Sequence, residues 1–226
     1  GWPTYIRGAS GKNRPDRIME VATLLQGSFQ IAMGIQSSDK EVLNNIQRSN
    51  ISNESYREIQ KHSYEVDKEA RIMSQIILGL PGDTKEKHFE TLRNEINNRV
   101  NTLQLFQAIM LTGTEMASQE TREKHEIVTK FRIIPGGLGV YRFGDEEVPI
   151  GEMEEIIVGS KHMSFEDYVS CRVMDLLVVS FHNNKLYEEV FLTLETMGIA
   201  PFDFLVYLHE HDELYTPKIK EILERF

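Results

Sequence analysis

Residues 72–96 read IMSQIILGLPGDTKEKHFETLRNEI, and this stretch decides the fold. Its opening is rich in Ile and Met and closes on Gly79-Leu80-Pro81-Gly82-Asp83, the composition of a strand running into a turn. From Asp83 the apolar period lengthens. Phe89, Leu92 and Ile96 fall on one helical face, and Asp83 three residues before Glu86 has the form of a capping box. A strand handing over directly to an amphipathic helix is half of a βα unit.

The same alternation recurs on both sides. Residues 2–7 make a strand, and the following helix over 15–26 carries Ile18, Val21, Ala22 and Leu25 on one stripe. Residues 28–36 make the next strand. A helix opened at Ser38 or Asp39 turns Val42, Leu43 and Ile46 inward, and a second helical piece from Ser52 carries Tyr56, Ile59, Ser63 and Val66. Residues 72–79 and 102–111 are the third and fourth strands. Four such units predict an α/β protein with a parallel sheet. After residue 116 the rhythm is lost. Residues 131–134 and 156–159 look like short strands around a glycine-rich loop at 135–139, and Ser164 caps a helix over 165–182. Further helices follow at 185–197, ended by Gly198, and on either side of Pro217. We therefore divide the chain into a βα region, 1–116, and a mainly helical, acidic extension, 117–226, whose apolar stripe runs Phe165, Tyr168, Val169, Arg172, Val173, Leu176, Leu177 and Phe181.

Composition narrows the function. The 226 residues are 40% hydrophobic and 27% charged, as in a folded globular chain. The net charge of −10 opposes a polyphosphate ligand and disfavours DNA or RNA. That charge is uneven: residues 1–113 hold 14 basic and 13 acidic side chains, residues 114–226 hold 11 and 22. The longest greasy stretch, 173–181, is interrupted by Asp175 and is far short of the roughly 20 residues of a membrane span. One cysteine, Cys171, excludes an intrachain disulfide and favours a reducing compartment, so we expect the cytoplasm. Residues 1–12 lack the apolar core of a signal peptide, and the absence of an initiator Met suggests a fragment.

Strand alternation sorts the side chains. In residues 28–36 the bulky Phe29, Ile31, Met33 and Ile35 belong under helices, leaving Gln30, Ala32, Gly34 and Gln36 on the other face. In the third strand Met73, Gln75, Ile77 and Gly79 share that inner face, and in the fourth Gln104, Phe106 and Ala108 do. Gln36 lies at the carboxyl end of its strand, where ligands bind in parallel α/β folds, and with Gln75 and Gln104 it makes three glutamines converging on one cavity. They either line a ligand site or satisfy one another in a filled interior.

Three segments carry a resemblance. Gly34-Ile35-Gln36-Ser37 with Glu41-Val42-Leu43 and Ile46-Gln47-Arg48 resembles the fourth-strand and fourth-helix region of the radical S-adenosylmethionine (radical SAM) enzymes. Residues 77–84, Ile-Leu-Gly-Leu-Pro-Gly-Asp-Thr, resemble their fifth-strand motif with Asp83 in place of the usual Glu. Residues 111–116, Leu-Thr-Gly-Thr-Glu-Met, are similar to the segment after the sixth strand, with Thr112 replacing a common Pro. The resemblance implies a fragment of a partial TIM-type (β/α)6 barrel. It implies an enzyme that uses S-adenosylmethionine and a 4Fe-4S cluster to make a 5′-deoxyadenosyl radical for hydrogen abstraction. Gln36 and Gln75 would contact the ribose, Arg48 the methionyl carboxylate, and Gly79 and the backbone near Leu111 and Thr112 the adenine, with Ser37 also among the cofactor-binding residues. Gln104 and Phe106 would face substrate.

The family's Cys-x-x-x-Cys-x-x-Cys motif is missing, so the cluster would belong to an upstream part of the same polypeptide, and this chain alone would be inactive. Residues 130–139, Tyr141, 154–158 and 163–168 also resemble the region beyond the barrel in members that carry a cobalamin-binding domain, the magnesium-protoporphyrin ester cyclase-like group. The competing reading is a non-catalytic interaction module derived from a barrel. An incomplete barrel exposes sheet edges, so self-association is expected. Other motifs are set aside. Residues 8–13 lack the spacing of a phosphate loop, Gly137-Leu138-Gly139 lacks a third glycine, and His209-Glu210-His211 lacks helical ligand spacing. Glu146-Glu147 and Glu152 to Glu155 are clustered carboxylates without a positioned partner, a solvated face.

Overall fold

The computed structural model describes residues 3–4, 6–8, 14–26, 28–50, 52–67, 72–183 and 187–224. Most of the segment set aside as a phosphate loop, part of the first predicted strand and the expected start of a helix at Lys185 lie outside these residues. Within them, strand β1 (Ile6–Arg7) leads to helix α1 (Pro15–Leu25) and strand β2 (Phe29–Gln36). Helices α2 (Lys40–Asn45) and α3 (Asn53–Val66) follow, then β3 (Ile72–Leu78), α4 (Lys85–Asn97) and β4 (Thr102–Gln107). The four strands form one parallel sheet in the order β1-β2-β3-β4. This is an α/β architecture of successive βα units on one parallel sheet, followed by an extension.

Side-chain alternation places the core. Ile31, Met33 and Ile35 of β2, Ile72 and Ile76 of β3 and Leu103 of β4 pack on Ile18 and Ala22 of α1, Tyr56 and Ile59 of α3, and Leu92 and Ile96 of α4. The inner face keeps Gln75, Gln104 and an exposed Phe106. Polar caps set the helix starts, since each satisfies a backbone N–H that has no partner inside the helix. Asp39 accepts from Val42 N at 3.0 Å, and Ser52 accepts from Ser55 N at 3.1 Å. The expected capping box at Asp83 is corrected: Thr84 caps α4 through Lys87 N at 3.2 Å. Asp83 instead turns back into the βα turn, accepting from Gly79 N at 3.2 Å and Thr84 N at 3.0 Å.

The extension differs from the sequence expectation. After α5 (Gln119–His125), two long strands rather than two short ones, β5 (Val128–Phe143) and β6 (Glu146–Gly159), form an antiparallel hairpin. The glycine-rich segment is no separate loop. It is absorbed as a register shift between Ile133 and Leu138, and the turn falls at Gly144 and Asp145. The base of β6 continues the sheet: Ile157 N donates to Ala108 O at 2.9 Å and Met110 N to Glu155 O at 2.8 Å. The acidic clusters also have partners. Glu147 pairs with Arg142 at 2.8 Å, Glu154 with Arg132 at 2.6 Å and Glu155 with Arg122 at 2.7 Å.

Helix α6 (Phe165–Leu177), capped by Ser164, runs into a π-helical turn (Val178–Asn183). Helices α7 (Glu188–Thr196), α8 (Pro201–Glu210) and α9 (Pro217–Glu224) finish the chain. The buried face of α6 is rotated from the predicted stripe: Tyr168, Cys171, Met174, Asp175, Leu177 and Val178 are buried, while Phe165 is 45% exposed. Met174, Val178, Phe191, Phe202 and Leu205 join the same core as α1, α3 and α4, so these helices lie on the helix-covered side rather than over the open face. Asn183 seals the free edge of β4, exchanging 2.8 Å hydrogen bonds with both backbone groups of Leu103. Among the described residues no single helix is long and apolar enough to cross a membrane. The apolar pair α7 and α8 is bent by 106° and buries Phe191, Phe202 and Leu205.

Candidate functional site

The inner face brings the three glutamines together. At the end of β2 the register shifts between Gly34 and Gln36, and Gln36 adopts φ 62°. For a residue with a Cβ, that left-handed conformation costs about 1–2 kcal/mol. The bulge re-aims the side chain. The Gln36 amide folds over Gly34, where an added Cβ would collide with Gln36 Nε2 and lie 3.5 Å from Gln75 Oε1. Gln75 Nε2 in turn donates to Gln104 Oε1 at 3.1 Å. A side chain at residue 34 would displace the Gln36 amide from this shelf, where the three amides form one polar surface beside the exposed Phe106.

The remaining predicted site residues are arranged around this shelf or away from it. Ser37 is buried. Its hydroxyl accepts from Asp39 N at 3.1 Å and its carbonyl from Asn50 Nδ2 at 2.8 Å, so it builds the turn after β2. Gly79 has φ 84°, and the position of its missing Cβ lies 3.4 Å from Ile157 O, so β6 covers it. Leu111 is exposed, and its carbonyl anchors the next turn through Thr114; Thr112 is also exposed. Arg48 is exposed and lines a different cavity, with Ser38, Asn50 and Glu95, on the helix-covered side of the sheet.

Two buried polar groups escaped the sequence analysis. His88 Nε2 meets Asp175 Oδ1 at 2.8 Å across α4 and α6, and Arg172 donates to the other carboxylate oxygen at 3.1 Å. The Asp175 charge opposes the burial of His88 and leaves its pKa raised. The interruption of an apolar run by Asp175 was the available signal. Second, Tyr56 donates to Glu95 at 2.8 Å, and Ser74 donates to the same carboxylate oxygen. Burial pushes the Glu95 carboxyl up from the ordinary range and holds Tyr56 protonated. These side chains fix how α3, α4 and α6 pack, and neither group reaches the amide shelf.

The fit to metal and cofactor differs by group. Cys171, the chain's one cysteine, is fully buried in α6 and burial raises its thiol pKa. It does not fit a 4Fe-4S cluster, which is held by thiolates. No group of three or more His, Cys, Asp or Glu among the described residues could hold a metal ion. The amide shelf does suit a diol, because a neutral amide offers both donor and acceptor.

Fold and shelf together define a class: a parallel βα protein with a polar amide surface on the inner face of its sheet. No family model matches the chain, and no curated protein does. Among solved structures it is similar to coproporphyrinogen III oxidase (HemN) from Escherichia coli, a radical SAM enzyme, at 25% identity and a TM-score of 0.37. That alignment covers 45% of this chain and 23% of the other.

Proposed function

We propose that this chain is part of the barrel of a radical SAM enzyme and that Gln36, Gln75 and Gln104 hold the ribose side of S-adenosylmethionine. The observation that carries the reading is the amide shelf itself, with glutamines from three successive strands: Gln36 and Gln75 beside Gly34, and Gln104 bonded to Gln75. The three ordered motifs at 34–48, 77–84 and 111–116 support it. In this reading Phe106 bounds the substrate side. Reductive cleavage of the cofactor needs a 4Fe-4S cluster held by cysteines outside this chain, so the isolated chain carries out no radical chemistry. We place it with the cobalamin-dependent, cyclase-like group on the resemblance of residues 130–139 and 163–168, with cobalamin also bound elsewhere.

S-adenosylhomocysteine is the stable probe. Isothermal titration of the chain is expected to detect binding that Gln36→Ala and Gln75→Ala each weaken by about 1–3 kcal/mol, roughly 5- to 150-fold. Absence of binding, or affinity unchanged from the wild type in both variants, would remove the cofactor from the inner face. One observation favours the alternative of an interaction module. Phe131, Ile133 and Met153, on one face of the hairpin, are each more than half exposed. That reading expects no nucleoside binding at all, and the same titration separates the two.

A further inference from the structure

We propose that the cavity enclosed by α2, α3 and α4, on the opposite side of β2 from the amide shelf, is a second ligand site that takes a small hydroxyl-bearing phosphate ester. It has a volume of about 540 Å³, within the range of small-molecule sites. Ile35 forms part of its wall, and Ile35 belongs to the helix-packed face of β2. The site is therefore separate from Gln36 and Gln75, and the proposal does not depend on the cofactor reading.

Charge points to an anion. Lys40 and Arg48 both line the cavity, and neither side chain has a hydrogen-bond or ion-pair partner among the described residues. Three other cations near the sheet each meet a carboxylate: Lys87 meets Asp39 and Glu41, Arg122 meets Glu155, and Arg132 meets Glu154. Two unpaired cations on one concave surface are a site where an oxyanion replaces the missing carboxylate. Ser52, the N-cap of the 14-residue helix α3, is also in the lining, so the positive end of that helix faces the same space. The cavity's one lining carboxylate, Glu95, accepts from Tyr56 and Ser74 and is buried, so its charge is already engaged.

The neutral lining points to hydroxyls. Asn44, Asn94 and Asn98 present amides and Ser49 a hydroxyl, while the Ser38 hydroxyl is already bonded to Thr91 Oγ1 at 3.0 Å. Asn94 reaches Ser38 Oγ only at 3.4 Å, and Asn98 uses its carbonyl oxygen for Arg57 at 3.2 Å, leaving its two amide donors. Leu43 and Ile35 supply an apolar wall for carbon-bound hydrogens. Two cations for a phosphate, several amides for hydroxyls and a small apolar wall match a sugar phosphate better than a nucleobase, for which the lining offers only Tyr56 as an aromatic surface.

Ribose 5-phosphate and inorganic phosphate are the probes, titrated into the full chain with binding followed by calorimetry and by thermal unfolding. Saturable binding of ribose 5-phosphate is expected, tighter than that of inorganic phosphate. Lys40→Gln and Arg48→Gln, both on exposed side chains, should each weaken it about tenfold or more. Gln75→Ala should leave it unchanged. Circular dichroism of both charge variants verifies that the fold is retained. No saturable binding, or binding retained by the double charge variant, would overturn the proposal. Competition by S-adenosylhomocysteine dependent on Arg48 would also overturn it, because the cavity would then belong to the cofactor.

Discussion

Asp83 is a carboxyl held where water is scarce. It is 2% exposed, accepts from Gly79 N and Thr84 N, and lies near His88 and Lys87. Those donors and cations favour the ionised form, yet burial outweighs them and pushes the carboxyl up to about 6. The native protein therefore holds this proton more tightly than the unfolded chain does. Its contribution is favourable below about pH 4, declines as the pH rises from 4 to 6, and is constant above that, a change of at most about 3 kcal/mol. His88, also raised, loses stability in the same direction at higher pH. Asp83→Asn keeps an oxygen acceptor and cannot ionise. Urea unfolding at pH 4.5 and pH 7.5 should find the variant gaining stability relative to the wild type at the higher pH. An identical difference at both pH values would mean that the carboxyl is not desolvated. Asp83 is legible as a turn residue, but its burial is not, because the residues of β6 and α6 that complete the surrounding core come some 70 to 90 residues later.

At the scale of elements, the helices and strands of the βα region follow local rules, and the hairpin does not. Asp39, Ser52 and Ser164 cap helices where the sequence predicts them, since a cap needs only a side-chain oxygen and an N–H a few residues on. Strands β5 and β6 were read as fragments because glycines at 136, 137 and 139 and Pro149 break the pattern and because neither face of the outer hairpin is buried. Alternation marks a strand only when one face packs. The base of the hairpin is anchored by Ile157 in the core and by Arg122 with Glu155, whereas Leu138, Val140 and Phe143 are each more than 60% exposed. Hydrogen exchange should therefore be fast over residues 138–150 and slow over 155–158. Replacing residues 137–150 by a short turn should leave the melting temperature within a few degrees of the wild type. A loss comparable to a core truncation would show that the tip carries packing energy.

At the scale of the whole molecule, exposed apolar side chains oppose a net charge of −10. Phe131, Ile133, Met153, Leu138 and Val140 lie on one face of the hairpin, whose outer strands pair only with each other among the described residues. The same hairpin on a second copy could pair with it through a twofold axis. Sedimentation velocity should find association that increases with protein concentration and with salt, as screening removes the charge repulsion. Phe131→Lys combined with Ile133→Lys should suppress it, and association that persists in that variant would place the contact elsewhere. The βα rhythm, the caps at Asp39, Ser52 and Ser164, and the pairing of Gln75 with Gln104 are readable from the sequence, whereas the bulge that turns Gln36 onto them is not. Each readable feature follows from a period or a cap within a few residues, or from the side-chain parity of neighbouring parallel strands. Only the tertiary structure decided that β6 extends the sheet beside Ala108 and Met110, that α6 pairs Asp175 with His88, and that Arg48 opens onto a cavity apart from the amide shelf. Those arrangements join residues that no local pattern connects, and they are selected by the burial of apolar surface shared among all the elements at once.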